Sequence, residues 1–102
     1  MSTVRKHMKF YGRVQGVGFR YRAEKSASIY DIVGWIRNND DGSVEMEAQG
    51  ATDNLDNMID LIKKGNFIQI DAIDEKIIPL RNDEYGFTIK DYWKNKKHNI
   101  FR

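Results

Sequence analysis

Glycines at positions 16 and 18 stand in the run Val14-Gln15-Gly16-Val17-Gly18-Phe19-Arg20, between a strand-like and a helix-like stretch. Glycine permits a sharp turn there and close approach of a ligand to the backbone. A helix starting near Phe19 turns unpaired N–H groups and the positive end of its dipole toward whatever sits in that turn. Together these features make an anion cradle. Arg20 falls in the first helical turn, where its guanidinium can fold back over the cradle. Its planar fork of donors matches two phosphate oxygens better than an ammonium does. The same spacing also fits a plain strand-to-helix turn with Arg20 in solvent, and glycine spacing alone favours that reading. The run lacks G-x-x-x-x-G-K-[ST] and the third glycine of a dinucleotide fingerprint.

Periodicity supplies the elements that must position this loop. Met8, Phe10, Gly12 and Val14 alternate with Lys9, Tyr11 and Arg13, the period of a half-buried strand. After the loop, Phe19, Ala23, Ala27 and Tyr30 fall on one face of a predicted helix. Residues 32–38 read as a second strand, with Val33, Trp35 and Arg37 on one face and Ile32, Gly34, Ile36 and Asn38 on the other. Asn39-Asp40-Asp41-Gly42 signals a turn, and Val44, Met46 and Ala48 alternate in a third strand that closes a hairpin. Thr52 or Asp53 is placed to cap a second helix, whose face carries Leu55, Met58, Ile59 and Ile62 and which ends at Gly65. An uneven extended stretch from Ile68 to Ile78, followed by Pro79, suits an edge strand. Tyr85, Phe87 and Ile89 alternate in the last strand. This order predicts an α+β ferredoxin-like two-layer sandwich: a five-stranded mixed, mainly antiparallel sheet with two helices on one face.

Composition narrows the partners. The chain has 102 residues, of which 40% are hydrophobic, enough for one domain with a real core. The domain is expected over residues 1–91, followed by a basic tail over 92–102, frayed or partly docked. There is no cysteine, which excludes disulfides, thiolate metal sites and a thiol nucleophile. A reducing cytoplasm is the expected location, since no secretory signal or membrane span is read. Residues 1–22 hold six Lys or Arg and no acid, and residues 92–102 hold four bases and no acid. The segment between them holds seven bases against fifteen acids. A locally positive site on an acidic body suits a small anionic substrate better than nucleic acid, which usually needs a whole basic face.

The residues filling these positions add specificity. GRVQGVGFR at residues 12–20, followed by GWIRN at 34–38, resembles the acylphosphatase signature, and the similarity extends through DGSVE at 41–45. Two separate motifs in the right order are far more specific than either alone. The resemblance spans roughly Arg5 to Asp91. It implies that Arg20 binds the phosphate and that Asn38 orients an attacking water. It implies further that the backbone amides of Gln15, Gly16, Val17, Gly18 and Phe19 cradle the phosphate. The implied activity is hydrolysis of the carboxyl–phosphate bond of a small acyl phosphate, with neither metal nor cofactor. Inorganic phosphate or sulfate should occupy the same loop, and a monomer is the expected state. Gly12, Gln15 and Val17 then read as loop scaffold and Trp35 as core.

Other residues invite weaker readings. His7 and His98 have no partner spacing for a metal site, and Asp40 with Asp41 fits solvated turn residues better than a catalytic pair. Lys64-Gly65-Asn66-Phe67 replaces a proline-rich stretch that many bacterial relatives carry, and the tail exceeds the core family. Two other functions compete. The first is a module that binds an acyl phosphate without turnover. The second is an RNA reader of similar topology, disfavoured because Gly18-Phe19-Arg20-Tyr21 begins a helix instead of displaying aromatics on a central strand.

Overall fold

The computed structural model describes residues 2–90, so the basic tail lies outside the described residues. Seven elements follow in order: β1 (Thr3–Arg13), α1 (Phe19–Ile29), β2 (Val33–Asn38), β3 (Val44–Ala51), α2 (Thr52–Lys63), β4 (Gln69–Ile78) and β5 (Phe87–Ile89). The sheet order is β4-β1-β3-β2-β5. β2 and β5 are parallel and the other neighbours antiparallel. The expected mixed five-stranded sheet with two helices is therefore present.

Alternation decides which face each side chain joins. Met8 and Phe10 of β1, Ile36 of β2, and Val44, Met46 and Ala48 of β3 point toward the helices. They meet Phe19, Ala23 and Ala27 of α1 and Leu55, Met58 and Ile62 of α2 in one buried cluster. Each large side chain so buried contributes roughly 1.5–3 kcal/mol. α2 begins without the expected side-chain cap: Ala51 occupies the cap position and Thr52 is already helical. The N–H and hydroxyl of Thr52 instead donate to the carbonyl of Ser2, both at 3.2 Å.

The opposite face is an ionic lattice, and β1 is longer than its hydrophobic pattern suggests because that lattice pairs it. Arg5 donates to Glu47 at 3.0 Å and to Glu84 at 2.7 Å, and Lys9 meets Asp41 at 3.2 Å; on the helix-facing side, Lys6 meets Glu75 at 2.9 Å. Arg5 is completely buried. Burial opposes its charge, but the hydrogen bonds and attraction of Glu84 and Glu47 outweigh it and raise its pKa. Three of the six bases in residues 1–22, Arg5, Lys6 and Lys9, are thus paired with acids of β3, β4, the turn after β2 and the segment before β5. Trp35 is 8% exposed yet belongs to this outer face, with Arg37 and Lys90 against its ring at 5.3 and 4.3 Å. Tyr85 is fully outside the sheet at 99% exposure, and the last strand begins at Phe87.

Candidate active site

β1 and β2 are both antiparallel to β3, so they run in the same direction and end at the same edge of the sheet. Val44 at the start of β3 pairs with Phe10 on one side and Asn38 on the other. Strands lie about 4.8 Å apart, so β1 and β2 are about 10 Å apart at this edge.

The turn out of β1 is fixed by two kinds of glycine. The β1–β4 register slips between Tyr11 and Gly12, where Gly12 has φ 129°. A Cβ at Gly12 would lie 2.3 Å from the carbonyl oxygen of Gln69, so any side chain would force the two strands apart. Gly16 and Gly18, with φ 73° and 81°, have open space where a Cβ would stand. There the left-handed conformation, not crowding, favours glycine. Buried Val14 anchors one end of the loop, and the Phe19 ring packs 5.0 Å from that of Phe10 at the other.

Between these anchors, the backbone N–H groups of Gln15 to Phe19 have no backbone acceptor among the described residues. The first helical bond of α1 runs from the N–H of Arg22 to the carbonyl of Gly18, at 3.0 Å. No acidic residue lies in the first turn of α1. Arg20 is half-buried at that helix start and has no ion-pair or hydrogen-bond partner among the described residues. Among the described residues, a guanidinium without a partner, amides without acceptors and the positive end of a helix dipole thus belong to one strand-to-helix turn.

Asn38 ends β2 on the face shared with Ile36. Its side-chain Oδ1 is buried and has no hydrogen-bond partner among the described residues. Such an acceptor needs a hydrogen-bond donor, and no protein group among the described residues supplies one. The turn behind it is braced heavily. The N–H of Asn39 donates to the carbonyl of Ser43 at 2.9 Å, and Asn39 Nδ2 donates to Ser43 Oγ at 3.1 Å. Ser43 donates from its N–H (2.9 Å) and its hydroxyl (2.6 Å) to Asp41 Oδ1. These bonds from Ser43, aided by Lys9, pull the Asp41 carboxyl down to about 2. Asp41 is thus a brace of the turn, exposed but structurally engaged.

The structure also brings together residues that periodicity leaves out. The Gln15 side chain donates from Nε2 to the carbonyls of Asn39 (2.8 Å) and Ser43 (2.9 Å), joining the loop to the hairpin. Glu45 accepts from Arg37 at 3.1 Å and contacts His7 Nε2 at 2.6 Å. Burial pushes the Glu45 carboxyl up, but hydrogen bonds from His7, Arg37 and Asn39 prevail and lower it. Among the described residues no group of three or more His, Asp or Glu side chains could hold a metal ion. Likewise no described helix is long and apolar enough to cross a membrane.

Known proteins resemble this chain in sequence and in fold. The acylphosphatase family profile matches residues 6–89. An acylphosphatase of Clostridium acetobutylicum is 45% identical over 83 residues, covering 80% of this chain and 91% of that protein. The crystal structure of acylphosphatase from Bacillus subtilis superposes with a TM-score of 0.78 at 32% identity, covering 85% of this chain and 98% of that one. Full-length HypF, in its phosphate- and nucleotide-bound form, gives a TM-score of 0.78 at 25% identity over 88% of this chain but only 12% of its own. A loop whose amides and arginine have no partner among the described residues thus stands in a chain that belongs to the acylphosphatase family, enzymes that hydrolyse acyl phosphates.

Proposed function

We propose that this chain hydrolyses small acyl phosphates to a carboxylate and inorganic phosphate by in-line attack of water at phosphorus, without a metal or other cofactor. The observation that carries the reading is a pair of groups at one sheet edge without a protein partner among the described residues: Arg20 and the buried Oδ1 of Asn38. An acyl phosphate leaves as a carboxylate whose conjugate acid has a pKa of roughly 4, so no general acid is needed near neutral pH. Phosphoryl transfer then requires mainly positioning and charge stabilisation.

The backbone amides of Gln15, Gly16, Val17, Gly18 and Phe19 hold the equatorial oxygens, with the Arg20 fork across two of them. Asn38 Oδ1 accepts a proton-side hydrogen bond from water, which leaves the water lone pair directed at phosphorus. The substrate's own phosphate takes up the water proton. Inorganic phosphate, or sulfate, binds the same loop as product or product mimic. The protein acts as a monomer on a small molecule, with nucleic acid outside its ligand class.

Purified protein assayed with benzoyl phosphate should turn over equally with and without EDTA. Arg20→Gln should lower kcat/KM by at least about 100-fold, the scale of losing one charge-stabilising donor. Dependence on added Mg²⁺, or an Arg20→Gln variant near wild-type turnover, would refute the mechanism. Tight phosphate binding with no turnover would instead identify a binding module.

A further inference from the structure

The Gln15 side chain links the phosphate loop to the hairpin that follows Asn38. Its Nε2 reaches the carbonyls of Asn39 and Ser43 at 2.8 and 2.9 Å. Both acceptors are backbone carbonyls, which cannot donate, so the amide must present its NH₂ group and not its oxygen to them. Those carbonyls belong to the two ends of the turn: the N–H of Asn39 already bonds the Ser43 carbonyl at 2.9 Å, and the N–H of Gly42 bonds that of Asn39 at 3.2 Å. The carboxamide therefore spans the mouth of the hairpin one residue beyond Asn38.

We infer that Gln15 is a positioning residue that sets the separation between the phosphate cradle and the water-holding Asn38, so that its side chain governs turnover and not phosphate affinity. This rests on the acyl phosphate reading given above. The loop can keep its left-handed glycines and the Arg20 helix start without Gln15, because Val14, Phe19 and the glycine dihedrals fix them. The hairpin has its own brace in Asp41 and Ser43. At this edge the Gln15 amide bonds the one unit to the other. In-line attack is sensitive to such a link, since a misplacement of about 1 Å can cost roughly 100-fold in rate.

The test compares wild type, Gln15→Ala and the isosteric Gln15→Glu, which turns a carboxylate on two carbonyls. Kinetics with benzoyl phosphate give kcat, and inhibition by inorganic phosphate gives Ki. A fall in kcat of about 10- to 100-fold with Ki within about threefold of wild type is expected. In ¹H–¹⁵N spectra the Asn38 carboxamide pair should shift while the phosphate-induced shifts of the Gly18 and Phe19 amides persist. Unchanged kcat, or a Ki that rises in step with the loss of kcat, would overturn the assignment. Should both variants fail to fold, the wild type decides: slow solvent exchange of the Gln15 carboxamide protons supports the link and rapid exchange overturns it. Wild type that does not hydrolyse benzoyl phosphate removes the reading beneath the proposal, whereas active wild type with indifferent Gln15 variants removes the proposal alone.

Discussion

Replacing Asn38 with alanine separates a residue kept for chemistry from one kept for the turn. Its Oδ1 bonds no protein group among the described residues, so truncation breaks no internal hydrogen bond. The packing of a half-buried carboxamide is lost, and alanine has a slightly better strand preference than asparagine. The net expectation is a variant within about 1 kcal/mol of wild-type stability. For a domain of this size that is a Tm within roughly 5 °C of wild type. Turnover of benzoyl phosphate should meanwhile fall by at least about 100-fold, as when a transition-state hydrogen-bonding group is lost. Asn39→Ala is the control, because Asn39 bonds Ser43 within the turn. It should lose about 1 kcal/mol of stability. Urea denaturation and steady-state kinetics on the same preparations read both quantities. A loss of more than about 1 kcal/mol in Asn38→Ala would make Asn38 a turn residue, contrary to its role here.

Two predictions concern the frame around the site. Arg5→Ala takes the nearest cation from Glu47 and Glu84, leaving Arg81 3.6 Å from Glu84, and should cost about 3 kcal/mol in urea denaturation; a change below about 1 kcal/mol would mean the pair is a surface one. The Asp41 carboxyl titrates at about 2 in the folded chain against an ordinary value of 3.8, so its brace is fully present above pH 4 and is lost as pH falls toward 2. The Tm difference between wild type and Asp41→Asn should therefore shrink between pH 5 and pH 2, and a difference constant with pH would contradict that brace.

The loop and both helices were legible because their signals are local. Glycines 16 and 18, the period-two runs through Met8–Phe10 and Val44–Ala48, and the Leu55–Ile62 stripe each lie within a short window, and the structure follows them. The long β1 was only half legible. Arg5, Lys6 and Lys9 read as a charged stretch, and their partners Glu84, Glu75 and Asp41 stand at a distance no local pattern spans. Trp35 shows the complementary limit: a large apolar residue suggests the core, but alternation with Ile36 sends it to the outer face between two cations. The Thr52 cap failed because the Ser2 carbonyl captured its hydroxyl. At the site, Arg20 and Asn38 stood out by the resemblance, whereas the tie from Gln15 to Asn39 and Ser43 ends on backbone carbonyls, which carry no sequence signal.

The account centres on water attacking phosphorus with a carboxylate departing, which oxygen labelling reads directly. Single-turnover hydrolysis of benzoyl phosphate in H₂¹⁸O, followed by mass spectrometry of both products, should place the label in inorganic phosphate and leave benzoate unlabelled. Label in benzoate would mean attack at the carbonyl carbon, and the roles given to Arg20, Asn38 and the loop amides would fall with it.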